Sequence, residues 1–256
     1  MGMTHMKIKE LLDESRAHQC DGVGTEHACV TIAAIAELPS RFGQFHIVAF
    51  YNNKDNKEHI AIVHGDVCGE EDVPVRVHSE CLTGDVLGSL RCDCRDQLET
   101  ALRMIGQMER GILLYMRQEG RGIGLINKIR AYGLQEHGYD TVEANIALGF
   151  RDDEREYSVA ALMLESLQVK SIRLITNNPK KIEDLTRNGV KVNGRIPHVM
   201  PANEHNRFYL ETKAIKSGHL IDLQGKERLP EQADPPVVEG MGEEMLDAVK
   251  SLYCCE

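Results

Sequence analysis

Residues 97–115, QLETALRMIGQMERGILLY, carry the pattern that decides the fold class. The apolar positions at the start of this stretch are spaced by three and four, which predicts a helix over residues 97–108 with one buried stripe. Gly111 ends the helical stretch, and residues 112–115 are predicted to form a short buried strand. A helix followed at once by a buried strand is typical of an α/β sheet.

Strands and helices alternate on both sides of this stretch. Upstream, β-branched and aromatic runs predict three strands in what looks like an antiparallel meander, at residues 45–51, 60–64 and 73–78. Downstream, apolar spacing predicts helices at residues 125–134, 158–167 and 179–188, and strands at residues 171–175 and 190–192. The pattern predicts an α/β fold, a mixed β-sheet flanked by helices.

Composition divides the chain into three parts. Residues 1–36 indicate an N-terminal lead-in that is helical or loosely ordered. Residues 37–223 hold the alternating pattern and are predicted to form the folded domain. Residues 224–256 open with a polar, proline-containing stretch and are predicted to be a polar, acidic tail.

Charge and hydropathy exclude several classes of protein. The 256 residues include 30 Lys and Arg against 40 Asp and Glu, a formal net charge of −10, which argues against a nucleic-acid or membrane partner bound through a basic surface. The longest apolar run, residues 30–36, falls far short of the ~18 residues of a membrane helix. The polar N-terminal residues lack the apolar core of a signal peptide, so we expect a cytoplasmic location. Any phosphate-bearing ligand must then be met by a local cluster of cations.

The most informative motif is HSECLTGDVLGSLRCDC at residues 78–94. Ten residues separate Cys81 from Cys92, and Cys94 follows with one residue between. A C-x-C pair suits a turn that directs two thiolates at one metal ion, and zinc is commonly held by thiolates. Three sulfur ligands with a vertex left for water describe a catalytic zinc site.

Spacing alone leaves two other interpretations of these cysteines open. One is a structural zinc site whose fourth ligand is His78, and the other is three unrelated thiols. If the site is catalytic, three thiolates leave a net negative centre around the metal. A nearby cation such as Arg91 or Arg95 could offset that charge.

A second motif, RQEGRGIGLINKIR at residues 117–130, concentrates positive charge in an acidic protein. Its cations are Arg117, Arg121, Lys128 and Arg130. The glycines at 120, 122 and 124 let the backbone approach a ligand before a helix N-terminus, which favours phosphate binding. A Gly-rich loop with a solvated charged face fits the same residues. Glu119 could accept from the N1–H and N2–H₂ groups of guanine, an edge that adenine lacks.

Two further segments carry polar side chains near predicted helix starts. Residues 152–155, DDER, precede the helix at 158–167, and acidic residues in such a position are often simple helix caps. Thr176 and Lys181 follow a predicted strand. Because ligands of open α/β sheets gather at the carboxyl ends of strands, a phosphate contact from either residue is a reasonable hypothesis.

Taken together, these motifs closely resemble the GTP cyclohydrolase II family, the enzymes that start riboflavin biosynthesis. The similarity runs over residues 38–221 and includes DTVEANIALGF, TNNPKKIEDL and HNRFYLETKAIKSGHL. It implies that residues 37–223 are a catalytic domain that hydrolyses GTP to formate, diphosphate and 2,5-diamino-6-(5-phosphoribosylamino)pyrimidin-4(3H)-one. It also implies one Zn²⁺ per subunit, Mg²⁺ with the substrate phosphates, and a homodimer.

The resemblance further implies a role for individual residues. The zinc ligands would be Cys81, Cys92 and Cys94. The positions that contact GTP would be Arg76, Val77, His78, Ser79, Glu80, Gln97, Glu119, Gly120, Arg121, Thr141, Thr176 and Lys181. Asp153 would be the proton acceptor, Arg155 the nucleophile, and Tyr132 a helper of the ring chemistry. Because a guanidinium stays protonated, a competing role for Arg155 is a cation that stabilises the phosphoryl transition state.

Two other functions stay open at this point. One is a zinc-stapled binding module, which predicts a fourth protein ligand and a basic face. The other is an enzyme that stops at a formamido product or acts on a different purine nucleotide. The sequence departs from the family at Arg95, where glycine is common, and at Gly133, where alanine is usual. The lead-in is too short for the synthase domain of some family members, so we expect a monofunctional chain.

Overall fold

A seven-stranded mixed β-sheet forms the centre of the computed structural model, which describes residues 10–15, 28–55 and 57–200. The strands are β1 (Val30–Ser40), β2 (Gly43–Asn52), β3 (His59–His64), β4 (Val73–Ser79), β5 (Gly111–Met116), β6 (Ile172–Ile175) and β7 (Val192–Ile196). Their order across the sheet is β1-β2-β3-β5-β4-β6-β7. The first three strands and β5 pair antiparallel, while β5, β4, β6 and β7 pair parallel. The predicted mixed sheet is confirmed.

Helices flank the sheet, as the apolar spacing predicts. Those with bounds in the described residues are α1 (Cys94–Gln107), α2 (Gly124–Glu136), α3 (Thr141–Ala147), α4 (Ser158–Ser166) and α5 (Pro179–Arg187). Two short turns, a π-helical one at Leu82–Val86 and a 3₁₀ one at Glu119–Gly122, precede α1 and α2. Among these described helices, none has both the length and the apolar composition needed to cross a bilayer.

The extent of the N-terminal lead-in is wrong for residues 30–36, which lie in β1. This strand pairs with β2 along its whole length, from Val30 opposite Asn52 to Ser40 opposite Gly43. The β-branched residues in this run, Val30, Thr31, Ile32 and Ile35, suit a strand, and the pairing with β2 fixes it. The predicted lead-in before residue 28 lies largely outside the described residues, and the predicted tail at 224–256 lies wholly outside them.

The predicted antiparallel meander of residues 45–51, 60–64 and 73–78, which are β2, β3 and β4, is wrong at its last step, because β4 does not pair with β3. Instead β5 lies between them, antiparallel to β3 and parallel to β4, with Val75 opposite Ile112. The connection from β4 to β5 runs through α1, and a helical crossover returns the chain in the same direction. The near-continuous burial of β4 is typical of an interior parallel strand covered on both faces.

The core lies on both faces of the sheet, and β5 shows the division. Ile112 and Leu114 pack into the larger apolar cluster, which includes residues of α4 and α5. Leu113, the alternate position, packs against Ala101 and Ile105 of α1. Burial on both faces anchors the parallel strands β4 and β5, whose carboxyl ends meet where Ser79 pairs with Met116. Polar segments leave the sheet at this edge, where α/β folds place ligand sites.

Candidate active site

A cavity of about 380 Å³ lies at the carboxyl ends of β4 and β5. Its walls come from the residues that follow these strands, from the start of α1, and from α2 and α3. Many of the residues singled out in the sequence line it: Ser79, Glu80, Cys81, Cys92, Cys94, Glu119, Gly120, Arg121, Tyr132, Thr141 and Arg155. The fold therefore brings together motifs that are up to 76 positions apart in the chain.

Three cysteine sulfurs converge at one side of the cavity. The sulfurs of Cys81, Cys92 and Cys94 all lie within 4.8 Å of one another, and the Cys81 and Cys92 sulfurs are 3.7 Å apart. A tetrahedral zinc ion with Zn–S bonds of ~2.3 Å holds its sulfurs ~3.8 Å apart, so these positions fit zinc. Cys81 follows the end of β4, and Cys94 is the first residue of α1, so two rigid elements set the spacing.

Gly84 leaves the space in which the sulfurs meet. A Cβ atom placed on Gly84 would lie 2.9 Å from the Cys92 sulfur and 3.1 Å from the Cys81 sulfur. Both distances are shorter than ordinary van der Waals contact, so any larger residue would displace the sulfurs. The π-helical turn at Leu82–Val86 thus passes directly against the cluster, and its glycine is a requirement of that close approach.

The three thiols do not hold their protons equally. Hydrogen bonds from the Cys92 and Cys94 thiols, together with the nearby Lys128 ammonium, hold the pKa of Cys81 far below its usual value. The hydrogen bond to Cys81 raises the pKa of Cys92 to about 11, and Cys94 also has a raised pKa because of its bonds to Cys81 and Cys92. Cys81 is therefore the first thiolate, and a bound metal ion would have to displace the remaining protons.

His78 does not complete the cluster as a fourth ligand. Neither of its ring nitrogens belongs to the group of close ligand atoms formed by the three sulfurs in the described residues. Its Nε2 lies 3.1 Å from both carboxylate oxygens of Asp85. Asp85 also accepts hydrogen bonds from the Tyr115 hydroxyl at 2.8 Å and from the Cys81 backbone N–H at 3.0 Å. His78 and Asp85 thus support the backbone that carries Cys81, which disfavours the structural Cys₃His site.

The cation that contacts the sulfurs is Lys128, not Arg91 or Arg95. Lys128 Nζ donates to the Cys81 sulfur at 3.1 Å and to Glu119 Oε1 at 2.8 Å, and both charged side chains are buried. Arg91 forms an ion pair with Glu136, and Arg95 pairs along α1 with Glu99. The sequence shows Lys128 only as one of four cations in its motif, because which cation faces the sulfurs depends on the rotation of α2.

The carboxylate of Glu119 accepts hydrogen bonds from other groups of the protein. Besides Lys128, its carboxylate accepts from the backbone N–H groups of Leu82 at 2.6 Å and Gly120 at 2.9 Å. These bonds tie the 3₁₀ turn after β5 to the turn that carries Gly84. Reading a guanine edge, the role suggested by the sequence, would require Glu119 to exchange some of these bonds for the ligand.

Tyr132 and Arg91 form another wall of the cavity. The Tyr132 hydroxyl is 3.2 Å from Thr83 Oγ1, and Thr83 Oγ1 is 3.7 Å from the Cys81 sulfur. The Arg91 guanidinium lies over the Tyr132 ring at 4.8 Å from its centroid. Burial raises the pKa of Tyr132, so its phenol stays protonated and can act as a hydrogen-bond or proton donor near the sulfurs.

Asp153 and Arg155 form a two-point ion pair. Arg155 Nε donates to Asp153 Oδ1 at 2.8 Å, and Arg155 Nη2 donates to Oδ2 at 2.5 Å. Although burial opposes ionisation, the hydrogen bonds and charge of Arg155 lower the pKa of Asp153 to about 2. Arg155 lines the cavity, and its Nη1 lies 3.5 Å from Ser79 Oγ. The pair places a fixed guanidinium at the cavity wall.

Arg121 and Thr141 occupy the remaining polar wall. Arg121 Nη1 donates to Asp152 Oδ1 at 2.6 Å, and its backbone adopts a φ of 59°, in the left-handed region next to Gly120. Thr141 begins α3, which the apolar spacing did not indicate. The sequence signal for this helix is a capping box, an Asp at 140 with a Glu three residues later. The Asp140 side chain accepts a hydrogen bond from the Glu143 backbone N–H, and the Glu143 side chain accepts one from the Asp140 backbone N–H.

Six predicted GTP-contact residues and the predicted proton acceptor Asp153 do not line this cavity; the six are Arg76, Val77, His78, Gln97, Thr176 and Lys181. Arg76 is buried and donates to the Ile175 carbonyl at 2.9 Å and to the Gln97 side chain. Its burial lowers the pKa of Arg76 to about 10. Lys181 donates to the Val77 carbonyl at 2.9 Å. Arg76 and Lys181 thus bond to backbone carbonyls of β6 and β4.

Comparison with known proteins connects this arrangement to one family. The family model for GTP cyclohydrolase II matches residues 31–197. The chain is 58% identical over 186 residues to GTP cyclohydrolase-2 of Picrophilus torridus, covering 73% of this chain and 96% of that protein. It is 52% identical over 216 residues to riboflavin biosynthesis protein RibBA of Bacillus cereus, and 55% identical over 216 residues to RibBA of Bacillus cytotoxicus. Each RibBA match covers 84% of this chain. This chain in turn spans about half, 52%, of the length of each RibBA protein.

Proposed function

The chain belongs to the GTP cyclohydrolase II family, and from this premise we propose that it is a zinc-dependent hydrolase of riboflavin biosynthesis. Its substrate is GTP, and its products are formate, diphosphate and 2,5-diamino-6-(5-phosphoribosylamino)pyrimidin-4(3H)-one. The observation that carries the proposal is the triangle of sulfurs from Cys81, Cys92 and Cys94 at the wall of a cavity that cations also line. A purely structural zinc site would need a fourth protein ligand, and His78 faces Asp85 instead.

The sulfur triangle supports a metal with an exchangeable position. Cys81, Cys92 and Cys94 would hold one zinc ion per chain, and Gly84 would keep the space around the sulfurs free. When bound, zinc would supply a Lewis acid that activates water for attack on C8 of the purine ring. The sulfurs border a cavity that is large enough for a small-molecule substrate.

Cations at the wall of the same cavity support a triphosphate ligand despite the acidic balance of the chain. Arg121 and Arg155 line the cavity, each held by a carboxylate, Asp152 and Asp153 respectively. Guanidinium groups fixed in this way bind phosphate oxygens with little loss of side-chain entropy. Mg²⁺ would accompany the phosphates. Further contacts to GTP would come from the wall residues Ser79, Glu80, Glu119, Gly120 and Thr141.

The remaining predicted contacts would support the substrate from beneath the cavity. Arg76, Gln97 and Lys181 are buried or half-buried behind its wall and hold backbone carbonyls or one another. Val77, His78 and Thr176 lie in the same layer, at the ends of β4 and β6. A direct contact from these residues with GTP would require the side chains to exchange internal bonds for ligand bonds.

The pairing of Asp153 with Arg155 favours a charge-stabilising role for Arg155 over a nucleophilic one. Both oxygens of Asp153 accept from the guanidinium, and the low pKa of Asp153 makes its carboxylate a weak proton acceptor. A guanidinium that keeps its proton is suited to stabilise negative charge as diphosphate leaves. Tyr132, with its raised pKa, is suited to donate a proton to the purine ring as the C8–N9 bond breaks.

An exposed apolar surface supports the homodimer. The helix predicted at residues 125–134 is part of α2, and the residues that it buries are Lys128, Ala131 and Leu134. Exposed apolar side chains instead cover the outer side of α2 and the turn that precedes α1: Val86, Leu87, Leu90, Leu125, Ile126 and Ile129. Large exposed apolar patches mark protein interfaces, and a second copy is the commonest partner. A cytoplasmic enzyme would meet its substrate GTP directly.

Separate assays of the two small products test the proposed function. Zinc-loaded protein incubated with GTP and Mg²⁺ should release formate and diphosphate in equal amounts. Release of diphosphate alone would indicate an enzyme that stops at a formamido product. If protein with one equivalent of bound zinc releases neither formate nor diphosphate, the hydrolase is rejected, and the zinc-stapled binding module is the remaining function.

A further inference from the structure

Lys128 makes a contact that the proposed reaction does not by itself require. Its Nζ lies 3.1 Å from the Cys81 sulfur and 2.8 Å from Glu119 Oε1, and the side chains of both charged residues are about one-tenth exposed. In such surroundings hydrogen bonds to a charged group are stronger than in water. Lys128 also shares its helix face with Tyr132, whose ring centroid is 5.7 Å from Nζ.

We propose that Lys128 is a positioning residue that tunes the metal through the Cys81 sulfur. Its ammonium donates a hydrogen bond to that sulfur, and Glu119 holds the ammonium in place. This hydrogen bond withdraws electron density from one of the three sulfur ligands. A metal ion bound by these sulfurs would therefore be a stronger Lewis acid than one bound by three thiolates without such a hydrogen bond. The inference rests on the proposed function in one respect, that Cys81 is a metal ligand.

The geometry favours Lys128 over the other cations near the cluster. Arg91 is turned toward Glu136 and the Tyr132 ring, and Arg95 pairs with Glu99 on an exposed side of α1. Glu119 is itself fixed by the backbone N–H groups of Leu82 and Gly120, so an ammonium that moves away from the sulfur and from Glu119 would leave a buried carboxylate without its counter-ion. The sulfur of Cys81 therefore differs from those of Cys92 and Cys94 because it accepts a hydrogen bond from the Lys128 ammonium.

A purely structural ion pair between Lys128 and Glu119 is the competing explanation. It predicts that removing Lys128 lowers stability but leaves the electronic character of a bound metal unchanged. The proposal predicts a change at the metal itself. A measurement of stability alone does not distinguish the two explanations. A spectroscopic probe of the sulfur–metal bonds does distinguish them.

The test uses Co²⁺ bound to the full chain, because cobalt–thiolate sites show a sulfur-to-metal charge-transfer band. In K128M we expect this band to move to longer wavelength, because a sulfur without its hydrogen bond gives up electron density more easily. K128R should keep most of the wild-type position. R95M is the matched control, since Arg95 follows Cys94 in the chain but its guanidinium pairs with Glu99, and its spectrum should equal that of the wild type.

The double variant K128M/E119Q covers the case in which K128M does not fold, because it leaves no unpaired buried charge. It should show the same shift as K128M. With GTP, we expect K128M to lower kcat about 10- to 100-fold with little change in KM. A K128M or double-variant spectrum identical to wild type at one bound cobalt would overturn the proposal. A wild-type protein without any charge-transfer band would instead reject the sulfur site and the proposed function with it.

Discussion

The backbone of Gly84 lies so close to Cys92 that a Cβ atom on residue 84 would be 2.9 Å from the Cys92 sulfur. We therefore expect G84A to bind zinc about 10- to 100-fold more weakly, because the sulfurs must spread to admit the methyl group. Gly194 provides a matched control, since a Cβ there meets nothing within 4 Å. Zinc content and affinity of G84A and G194A check the prediction, and wild-type affinity in G84A would contradict it.

The Asp153–Arg155 pair predicts how the reaction responds to changes of the cation. If Arg155 stabilises charge, R155K should keep diphosphate release within about tenfold of wild type, and R155M should lose about 100- to 1000-fold. Lysine keeps the charge but not the two-point contact with Asp153, which accounts for the partial loss in R155K. Diphosphate release under single-turnover conditions is the measurement. Equal and complete loss in both variants would favour a nucleophilic Arg155.

His198 predicts a pH dependence of stability. Its Nε2 lies 2.9 Å from the Gln97 carbonyl, and burial followed by the charge of Arg76 lowers its pKa to about 4. In the unfolded chain His198 takes up a proton near pH 6.5, whereas in the native state it does so only near pH 4. The stability it contributes is thus present above pH 6.5 and is lost as pH falls toward 4, by up to about 3 kcal/mol.

The H198Q variant isolates this contribution. Its free energy of unfolding should fall less between pH 7 and pH 4.5 than that of the wild type, while other histidines with lowered pKa, such as His78, act alike in both proteins. Denaturant titrations at the two pH values measure the difference. The same pH dependence in both proteins would show that His198 is not buried in its neutral form.

The exposed apolar side of α2 predicts how the proposed homodimer responds to a charged substitution. Ile126 is 71% exposed on that side, and I126E should shift the protein from dimer to monomer because a carboxylate cannot be buried there without a partner. Y51E is the control, since Tyr51 is similarly exposed on β2. Sedimentation velocity at several concentrations checks both variants. A wild-type protein that sediments as a monomer would contradict the homodimer.

Local pattern was enough to predict elements whose apolar residues alone indicate their burial. The stripe of α1, ending in Ile105, was predictable because it packs against one layer of the core. The short strand β5 was predictable because its continuous apolar run is buried on both faces of the sheet. The order of the strands was not, because the insertion of β5 between β3 and β4 depends on a crossover that no short segment encodes. The strand β1 depends likewise on its pairing with β2.

The site shows the same division between local and long-range information. The spacing of Cys81, Cys92 and Cys94 predicted a sulfur cluster because a turn and a helix start fix their separation. The contact of Lys128 with Cys81 could not be predicted, because the rotation of α2 decides which of its residues faces inward. Leu125, Ile126 and Ile129 of that helix are exposed, and the sequence does not distinguish an intramolecular core from an exposed apolar surface.

The zinc content of a single cysteine variant tests the metal site most directly. We expect wild-type protein to hold one zinc ion per chain and to release formate from GTP. C92S should lose both the zinc and formate release, because two sulfurs and a hydroxyl hold zinc far more weakly. C68A, which replaces a buried cysteine of the larger apolar cluster and not one of the three converging sulfurs, should keep both. A C92S protein that retains a full equivalent of zinc and still forms formate would contradict the account.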